Sequence, residues 1–201
     1  MKLRLLLIPV LFFSINSIAQ DLNYKWSVEA NYPISVGDGL GNDNPGIVDL
    51  GLKYRFVDLN IVTLGIGVNA GIFHDNINSF TANGSDFDET NLFIQPKAFA
   101  EFNIPGLNKL RPSIGLGYTI VRSKYDGTIG YFADSPEEAI ISETNSDGGL
   151  NLNLGLSYDF STRFYIQAQY DYIRLNQRFD DSQRNKDLNL GLLKFGFGFR
   201  F

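Results

Sequence analysis

The sequence predicts an all-β fold: an eight-stranded antiparallel up-and-down transmembrane β-barrel with short periplasmic turns and long extracellular loops. Three observations lead to this prediction. Apolar residues alternate with polar or small ones along eight segments, the last segment ends on Phe201, and short links alternate with long ones. Each segment has about ten residues or more, which is the length that a tilted strand needs to cross a membrane.

The N-terminal residues have the pattern of a secretory signal peptide. Lys2 and Arg4 precede an apolar stretch at 5–13, and the small residues Ser17 and Ala19 occupy the −3 and −1 positions. A stretch of about nine strongly apolar residues is too short to span a bilayer as a helix. We therefore predict a signal peptide cleaved after Ala19 rather than an N-terminal membrane anchor.

This cleavage divides the chain into a signal peptide, 1–19, and one outer-membrane β-barrel domain, 20–201. The sequence contains no cysteine, so neither a disulfide nor a lipid-modified cysteine is expected. Its 22 Asp and Glu residues outnumber its 17 Lys and Arg residues, which argues against a nucleic-acid partner. No mature segment approaches 18 consecutive apolar residues, so membrane integration is expected through strands.

In the first four segments, apolar residues occupy alternate positions and therefore share one face. These faces comprise, in order, Tyr24, Trp26, Val28, Ala30, Tyr32 and Ile34; Val48, Leu50, Leu52, Tyr54 and Phe56; Val62, Leu64, Ile66, Val68, Ala70 and Ile72; and Leu92, Ile94, Ala98, Ala100 and Phe102. The intervening positions carry polar residues or glycine, so we expect the apolar face to meet lipid and the other to line the barrel.

The same alternation continues in the second half of the chain. The next three apolar faces comprise Ile114, Leu116, Tyr118 and Ile120; Leu150, Leu152, Leu154, Leu156, Tyr158 and Phe160; and Phe164, Ile166, Ala168, Tyr170 and Tyr172. In the eighth segment Leu188, Leu190 and Leu192 occupy even positions, and the apolar face then changes to odd positions from Leu193. This change of parity predicts a β-bulge near Leu193.

Alternation alone also fits a soluble, lipocalin-like barrel with an apolar interior. Glycines argue for a membrane barrel because they crowd the polar face, as a narrow interior requires: Gly51, Gly65, Gly67, Gly71, Gly115, Gly117, Gly155, Gly196 and Gly198. Aromatic residues of the apolar face cluster at the predicted periplasmic rim: Tyr24, Trp26, Tyr54, Phe56, Phe102, Tyr158, Phe160, Phe164, Phe199 and Phe201.

The lengths of the links give the third argument for a membrane barrel. Short links are predicted at 57–60, 103–109 and 161–163, and long polar links at 36–46, 75–90, 122–148 and 176–187. Outer-membrane barrels have this asymmetry of short periplasmic turns and long extracellular loops.

Together, the signal peptide, the eight segments and the ending Phe199-Arg200-Phe201 resemble the OmpA/OmpX-like eight-stranded outer-membrane β-barrel proteins of Gram-negative bacteria. The resemblance covers the mature chain. It implies an integral outer-membrane protein whose C-terminal strand, through Phe197, Phe199 and Phe201, is the signal read by the barrel-assembly machinery. The expected partners are outer-membrane lipid and lipopolysaccharide, and the last loop carries cations that could meet lipopolysaccharide phosphates: Arg178, Arg184 and Lys186.

The predicted inward positions carry charges of both signs: Lys25, Glu29, Asp49, Lys53, Arg55, Lys97, Glu101, Arg111, Asp159, Asp171, Lys194 and Arg200. An eight-stranded barrel is just wide enough for side chains to fill. We predict a polar network in the lumen, the space inside the barrel, formed by Glu29, Lys53, Lys97, Glu101, Asp159, Asp171 and Lys194. The alternative is a gated ion pathway, which would favour a ring of one sign.

Other polar residues suggest weaker functional hypotheses. His74 lies near Asp75, Ser79 and Ser85, but sequence proximity does not establish the geometry of a catalytic triad. Three carboxylates at Asp86, Asp88 and Glu89 could bind Ca²⁺, although their spacing is not that of an EF-hand. Adjacent Glu137 and Glu138 lack the fixed geometry of a glycosidase pair. We predict no catalytic residue, no metal and no cofactor.

The predicted function is therefore a structural or surface-interaction role, exerted through the extracellular loops of a barrel with a filled lumen. The third loop carries aromatic residues among polar ones, at Tyr125, Tyr131 and Phe132, which suits partner recognition or a loop folded over the barrel mouth. The alternatives are a small-solute or ion channel and a lipid-modifying outer-membrane enzyme. The sequence does not identify an extracellular ligand.

Overall fold

A computed structural model describes residues 24–36, 46–78, 86–129, 139–177 and 186–201. These residues form eight antiparallel strands: β1 (Trp26–Val36), β2 (Gly46–Asp58), β3 (Val62–Asn78), β4 (Asp86–Phe102), β5 (Leu110–Ile129), β6 (Ala139–Asp159), β7 (Phe164–Gln177) and β8 (Lys186–Arg200). The predicted signal peptide and its cleavage site lie outside the described residues, so both stay predictions.

The strands close into a barrel in which each strand pairs with its neighbours in sequence, and β1 pairs with β8. The closing ladder runs from the pair Ser27 and Arg200 to the pair Val36 and Gly191. This topology confirms the predicted eight-stranded antiparallel up-and-down barrel. No helix among the described residues is long and apolar enough to cross a membrane.

Three short turns join the strands at the predicted periplasmic end, at 59–61, 103–109 and 160–163. Asn60 has φ of 65° and Gly106 has φ of 88°, both in the left-handed region that tight turns use. The Asp58 carboxylate accepts a hydrogen bond from the Asn60 amide at 3.0 Å, and this bond supports the first turn. The positions of the three turns match the predicted short links.

Alternation along the strands sorts the side chains as predicted. Outward apolar residues remain open to the surroundings, with Leu116 and Leu150 each 64% exposed, whereas the intervening polar residues are buried. At the periplasmic rim, rings on neighbouring strands meet: the centroids of Trp26 and Tyr54 are 4.6 Å apart, and those of Phe164 and Phe199 are 4.9 Å apart. Such a ring of aromatic residues suits a membrane interface.

The predicted β-bulge near Leu193 is wrong. The β7–β8 ladder runs without a shift from Phe164 and Phe199 to Gln177 and Lys186. Leu190 and Leu192 point into the barrel, on the same face as Lys194, and are fully buried. The change of parity in the sequence therefore marks a change in what fills the lumen rather than a break in the strand. Register shifts occur instead between β2 and β3.

Four strands are longer than the predicted loop boundaries allow. β3 and β4 remain paired out to Asn78 and Asp86, and β5 and β6 remain paired out to Ile129 and Ala139. The predicted loops at 75–90 and 122–148 are thus largely strand, because paired polar residues there continue the ladder. The segments 37–45, 79–85, 130–138 and 178–185 lie outside the described residues.

Candidate functional site: the barrel interior and its two ends

A cluster of ion pairs occupies the middle of the lumen, with Lys194 of β8 at its centre. The Lys194 ammonium lies 2.9 Å from the Asp49 carboxylate of β2 and 2.8 Å from the Asp171 carboxylate of β7. It also donates a hydrogen bond to the side-chain oxygen of Gln95 on β4. One cation therefore joins four strands, and all four side chains are almost fully buried.

A second cluster forms around Glu29 of β1. Its carboxylate lies 2.6 Å from the Lys53 ammonium and accepts hydrogen bonds from the Tyr165 hydroxyl at 2.7 Å and the Gln169 amide at 3.2 Å. Lys97 donates to the Gln169 side-chain oxygen at 3.4 Å. Glu29 of β1 and Lys53 of β2 are thus joined directly, and Gln169 of β7 links Glu29 to Lys97 of β4.

Guanidinium groups dominate the periplasmic end of the lumen. Arg55 binds both oxygens of Glu101, through Nε at 2.7 Å and Nη2 at 2.8 Å. The two oxygens of Asp159 are divided between Arg111 Nε and Arg200 Nη1, each at 2.7 Å. Two cations thus share one carboxylate at this end.

Aromatic rings among these charges were not anticipated from the sequence. The Arg200 guanidinium lies 4.2 Å from the centre of the Tyr165 ring, and the Lys53 ammonium lies 5.4 Å from that of Phe99. Both rings point inward and are buried, where the faces of the rings attract the cations. The sequence feature that could have indicated these inward rings is glycine on the neighbouring strands. An added Cβ at Gly65 or Gly198 would meet one of the two rings.

The structure places all seven predicted network residues inside the barrel and buried: Glu29, Lys53, Lys97, Glu101, Asp159, Asp171 and Lys194. Six of them take part in recorded ion pairs, whereas the recorded hydrogen bond of Lys97 is to Gln169. Lys25, also assigned to the inner face, is exposed at the periplasmic mouth, where its backbone carbonyl accepts a hydrogen bond from the Arg55 amide at 2.8 Å.

The outer part of the lumen is apolar, which the sequence analysis missed. Seven buried side chains pack together there: Phe73, Phe93, Val121, Ile173, Leu175, Leu190 and Leu192. The rings of Phe73 and Phe93 are 4.9 Å apart. On β8 the layer begins at Leu192, two residues beyond Lys194, and on β7 at Ile173, two residues beyond Asp171. The interior therefore changes from ion pairs to hydrocarbon within one inward-facing position.

Beyond the barrel mouth, β3–β6 continue as an outer sheet, defined as residues 74–78, 86–90, 122–129 and 139–147. One row across its four strands aligns Asp75, Glu89, Tyr125 and Glu143. Asn91, the first residue of β4 below the outer sheet, donates a hydrogen bond from its side-chain amide to Glu89 at 2.8 Å. Polar and acidic side chains thus replace the apolar layer above the mouth.

The weaker sequence hypotheses also fall in this region. His74 is exposed, and its Nδ1 lies 3.1 Å from the Thr90 hydroxyl, while Ser79 and Ser85 lie outside the described residues. Within the described ranges, no cluster of three or more His, Cys, Asp or Glu residues has the geometry to hold a metal ion. Asp86 and Asp88 sit opposite Thr128 and Asp126 on β5. Glu137 and Glu138 also lie outside the described residues.

The three aromatic residues proposed as an assembly signal lie on the outward face of β8. Phe197 is 62% and Phe201 is 40% exposed, and the rings of Phe199 and Phe201 are 6.1 Å apart and nearly parallel. They form part of the periplasmic aromatic ring together with Phe164. Their recognition by the assembly machinery stays a prediction.

Comparison with known proteins agrees with this architecture. A family model described as the outer membrane protein beta-barrel domain matches residues 5–201. No curated protein is matched by the sequence.

Among solved structures, the chain is similar to Ail, the attachment invasion locus protein of Yersinia pestis, in complex with the heparin analogue sucrose octasulfate. The two sequences are 19% identical and the TM-score is 0.54, and the match covers 88% of this chain and 96% of that chain. The N-terminal β-barrel domain of Pseudomonas aeruginosa OprF has 16% identity and a TM-score of 0.50, with the same coverage. At these identities the likeness concerns the fold.

Proposed function

Since the chain belongs to the outer membrane protein beta-barrel family, we propose that it is a non-conducting outer-membrane barrel that binds a cationic partner at the cell surface. The outer sheet formed by β3–β6 would carry the interaction. The observation that supports this proposal most directly is the extension of these four strands beyond the closed part of the barrel. Filling of the lumen supports the non-conducting part.

The outer sheet offers a surface suited to partner binding. β5 and β6 pair over twenty positions, from Leu110 with Tyr158 to Ile129 with Ala139. The ladder between β6 and β7 ends at Gly148 and Asn176, so the recorded register leaves 139–147 paired on the β5 side only. A platform of paired strands orders fewer residues on binding than an unpaired loop does, which reduces the entropic cost of association.

The charge of the outer sheet favours a cationic partner. It contains seven acidic residues and two basic ones, listed by sign as Asp75, Asp86, Asp88, Glu89, Asp126, Glu143 and Asp147 against Arg122 and Lys124. Negative potential attracts groups of opposite charge and accelerates their association. This balance differs from what an anionic sulfated sugar such as the ligand of the Ail complex would need, so that ligand is not carried over to this chain.

The lumen supports a barrel without a conducting pathway. The polar layer joins β1, β2, β7 and β8 through ion pairs and β4 through the hydrogen bond from Lys194 to Gln95, and the apolar layer lies directly beyond it. An ion that entered this lumen would have to displace ion pairs and then cross hydrocarbon, which costs several kcal/mol for an unpaired charge. We therefore expect no conducting channel.

Planar bilayer recordings test the non-conducting part of the proposal. The purified, folded protein should give no reproducible single-channel openings, and the variant Lys194→Arg should behave in the same way. Stable openings of uniform size from the pure protein would contradict the proposal. Heat-modifiable migration on a denaturing gel would show that each sample contains folded barrel.

Binding of charged peptides tests the partner. The barrel in lipid nanodiscs should bind an immobilised ten-residue arginine peptide saturably, and should not bind the corresponding glutamate peptide. Replacing Glu89, Glu143 and Asp147 together by their amides should weaken binding by about ten-fold or more, because three charges leave the surface. The matched control is Asp58→Asn at the periplasmic end, which should leave binding unchanged. Equal binding by the triple variant would contradict the proposal.

A further inference from the structure

The periplasmic mouth of the barrel contains a cavity of about 590 Å³. The turns at 59–61 and 103–109 and the periplasmic ends of the neighbouring strands enclose it. Its volume is many times the roughly 30 Å³ that one water molecule occupies. The cavity lies at the opposite end of the molecule from the outer sheet, so the proposed surface interaction does not account for it.

Cationic side chains predominate in the lining of this cavity. Four of the charged residues are basic, Lys25, Arg55, Arg111 and Arg200, and one is acidic, Asp58. An arrangement of this kind concentrates positive potential in a concave site with protein walls. The charge alone does not show which of these groups are available to a ligand, and that depends on their existing partners.

The partners divide the cations into two kinds. Each nitrogen of Arg55 already has a partner, because Glu101 accepts from Nε and Nη2 and the Ser27 hydroxyl accepts from Nη1 at 3.1 Å. Arg111 and Arg200, in contrast, divide one carboxylate between them, that of Asp159. The pair therefore has one more positive charge than its shared partner neutralises.

Unused hydrogen-bond donors accompany this excess charge. Arg200 is 5% exposed, and its Nε and Nη2 have no hydrogen-bond partner among the described residues. Arg111 is more accessible, with 30% of its side chain exposed, and its Nη1 donates to the Asn103 side-chain oxygen at 3.1 Å. Lys25 is exposed at the same mouth, and no ion pair of Lys25 is recorded in the described part of the chain.

We propose that this cavity, lined by Lys25, Arg111 and Arg200, is a periplasmic binding site for an oxyanion, a phosphate or carboxylate group. Guanidinium groups bind such groups through paired, charge-assisted hydrogen bonds. Arg111 is the residue that contacts the oxyanion most directly, Lys25 adds a flexible second charge, and Arg200 is the buried cation that leaves the pair with excess charge. The group could belong to a lipid of the inner leaflet or to a soluble periplasmic molecule.

This site can be tested by calorimetric titration of the folded full chain in nonionic detergent at low ionic strength. The two ligands to titrate are inorganic phosphate and glycerol 3-phosphate. Saturable binding with one site per chain is expected. Arg111→Gln should weaken it by about ten-fold, since one charged hydrogen bond is lost, and Lys25→Gln should weaken it by a smaller factor. Lys109→Gln is the control, because Lys109 is exposed in the same turn but does not line the cavity.

The result overturns the proposal if neither phosphate compound binds, or if Lys109→Gln lowers the affinity as much as Arg111→Gln does. Lys25→Gln keeps the test valid even if Arg111→Gln does not fold, because the Lys25 side chain is exposed. Repeating the titration in phosphatidylglycerol vesicles separates the two sources. Loss of glycerol 3-phosphate binding there would identify a lipid headgroup as the occupant, and undiminished binding would identify a soluble oxyanion.

Discussion

The two layers inside the barrel are built from opposite chemistry within a few ångströms of each other. Below, Lys194 is held by Asp49 and Asp171, and each charge depends on groups from other strands. Above, Leu192 and Phe93 belong to a layer in which no atom needs a particular partner. Both layers bury side chains to a similar extent, so burial is not what distinguishes them.

The difference lies in how each layer responds to change. A buried ion loses its compensation entirely when its partner is removed, whereas an apolar residue loses contacts in proportion to the volume removed. The polar layer should therefore specify which strands come together and in which register. The apolar layer should tolerate exchanges among residues of similar volume. Substitutions in the two layers can test this contrast.

The largest effect is expected for Lys194→Met. It leaves two buried carboxylates facing each other and should lower the free energy of unfolding by about 3–5 kcal/mol. Urea titration of the protein in lipid vesicles, followed by the fluorescence of Trp26, measures the change.

The double variant with Asp49→Asn added should recover part of this loss, because it removes one buried anion together with the buried cation and keeps the charges of the polar layer balanced. A loss below about 1 kcal/mol for Lys194→Met, comparable to that of the exposed Lys109→Met, would contradict the role of Lys194 as the centre of the polar layer.

A smaller effect is expected in the apolar layer. Leu192→Ala should cost about 3 kcal/mol through the cavity that it opens, while Leu192→Met should cost less than about 1.5 kcal/mol because volume is nearly conserved. Leu154→Ala is the matched control, since Leu154 points outward and is 47% exposed. If Leu154→Ala were as costly as Leu192→Ala in the same urea titration, the layer would contribute no specific packing.

The smallest effect concerns space rather than chemistry. An added methyl group at Gly198 would collide with the ring of Tyr165, so Gly198→Ala should cost about 1–3 kcal/mol. At Gly71 the nearest atom to an added Cβ is Asp49 Oδ2, at 3.2 Å, so a shift of only a few tenths of an ångström would accommodate the methyl group. Gly71→Ala should therefore be less damaging, and the reverse order in thermal unfolding would contradict this account.

The alternation of residues predicted the strands well because, over most of the barrel, apolar side chains face lipid and charged or polar side chains fill the interior. That reasoning failed on β8, where Leu190 and Leu192 were assigned to lipid. Where both faces are apolar, hydrophobicity no longer indicates direction, and only the ladder with β7 does. The same limitation hid Phe73, Phe93 and Ile173, which occupy inward positions of strands whose outward faces were assigned correctly.

The candidate sites were predictable only in part for a related reason. The inward residues of the polar network could be named from parity, but their partners come from strands far apart in sequence. Glu29 and Tyr165, for example, are separated by 136 positions. The sharing of Asp159 between Arg111 and Arg200 depends on the stagger of the closed barrel, which the sequence pattern does not contain.

The β1–β8 ladder has a consequence for how the protein reaches its folded state. All other ladders join strands that are consecutive in sequence, so hairpins can form them early and locally. The ladder from Ser27 with Arg200 to Val36 with Gly191 instead requires the two ends of the domain to meet. Closure should therefore be the slow, late step of folding, and the bonds from Tyr165 and Gln169 to Glu29 then hold the seam from within.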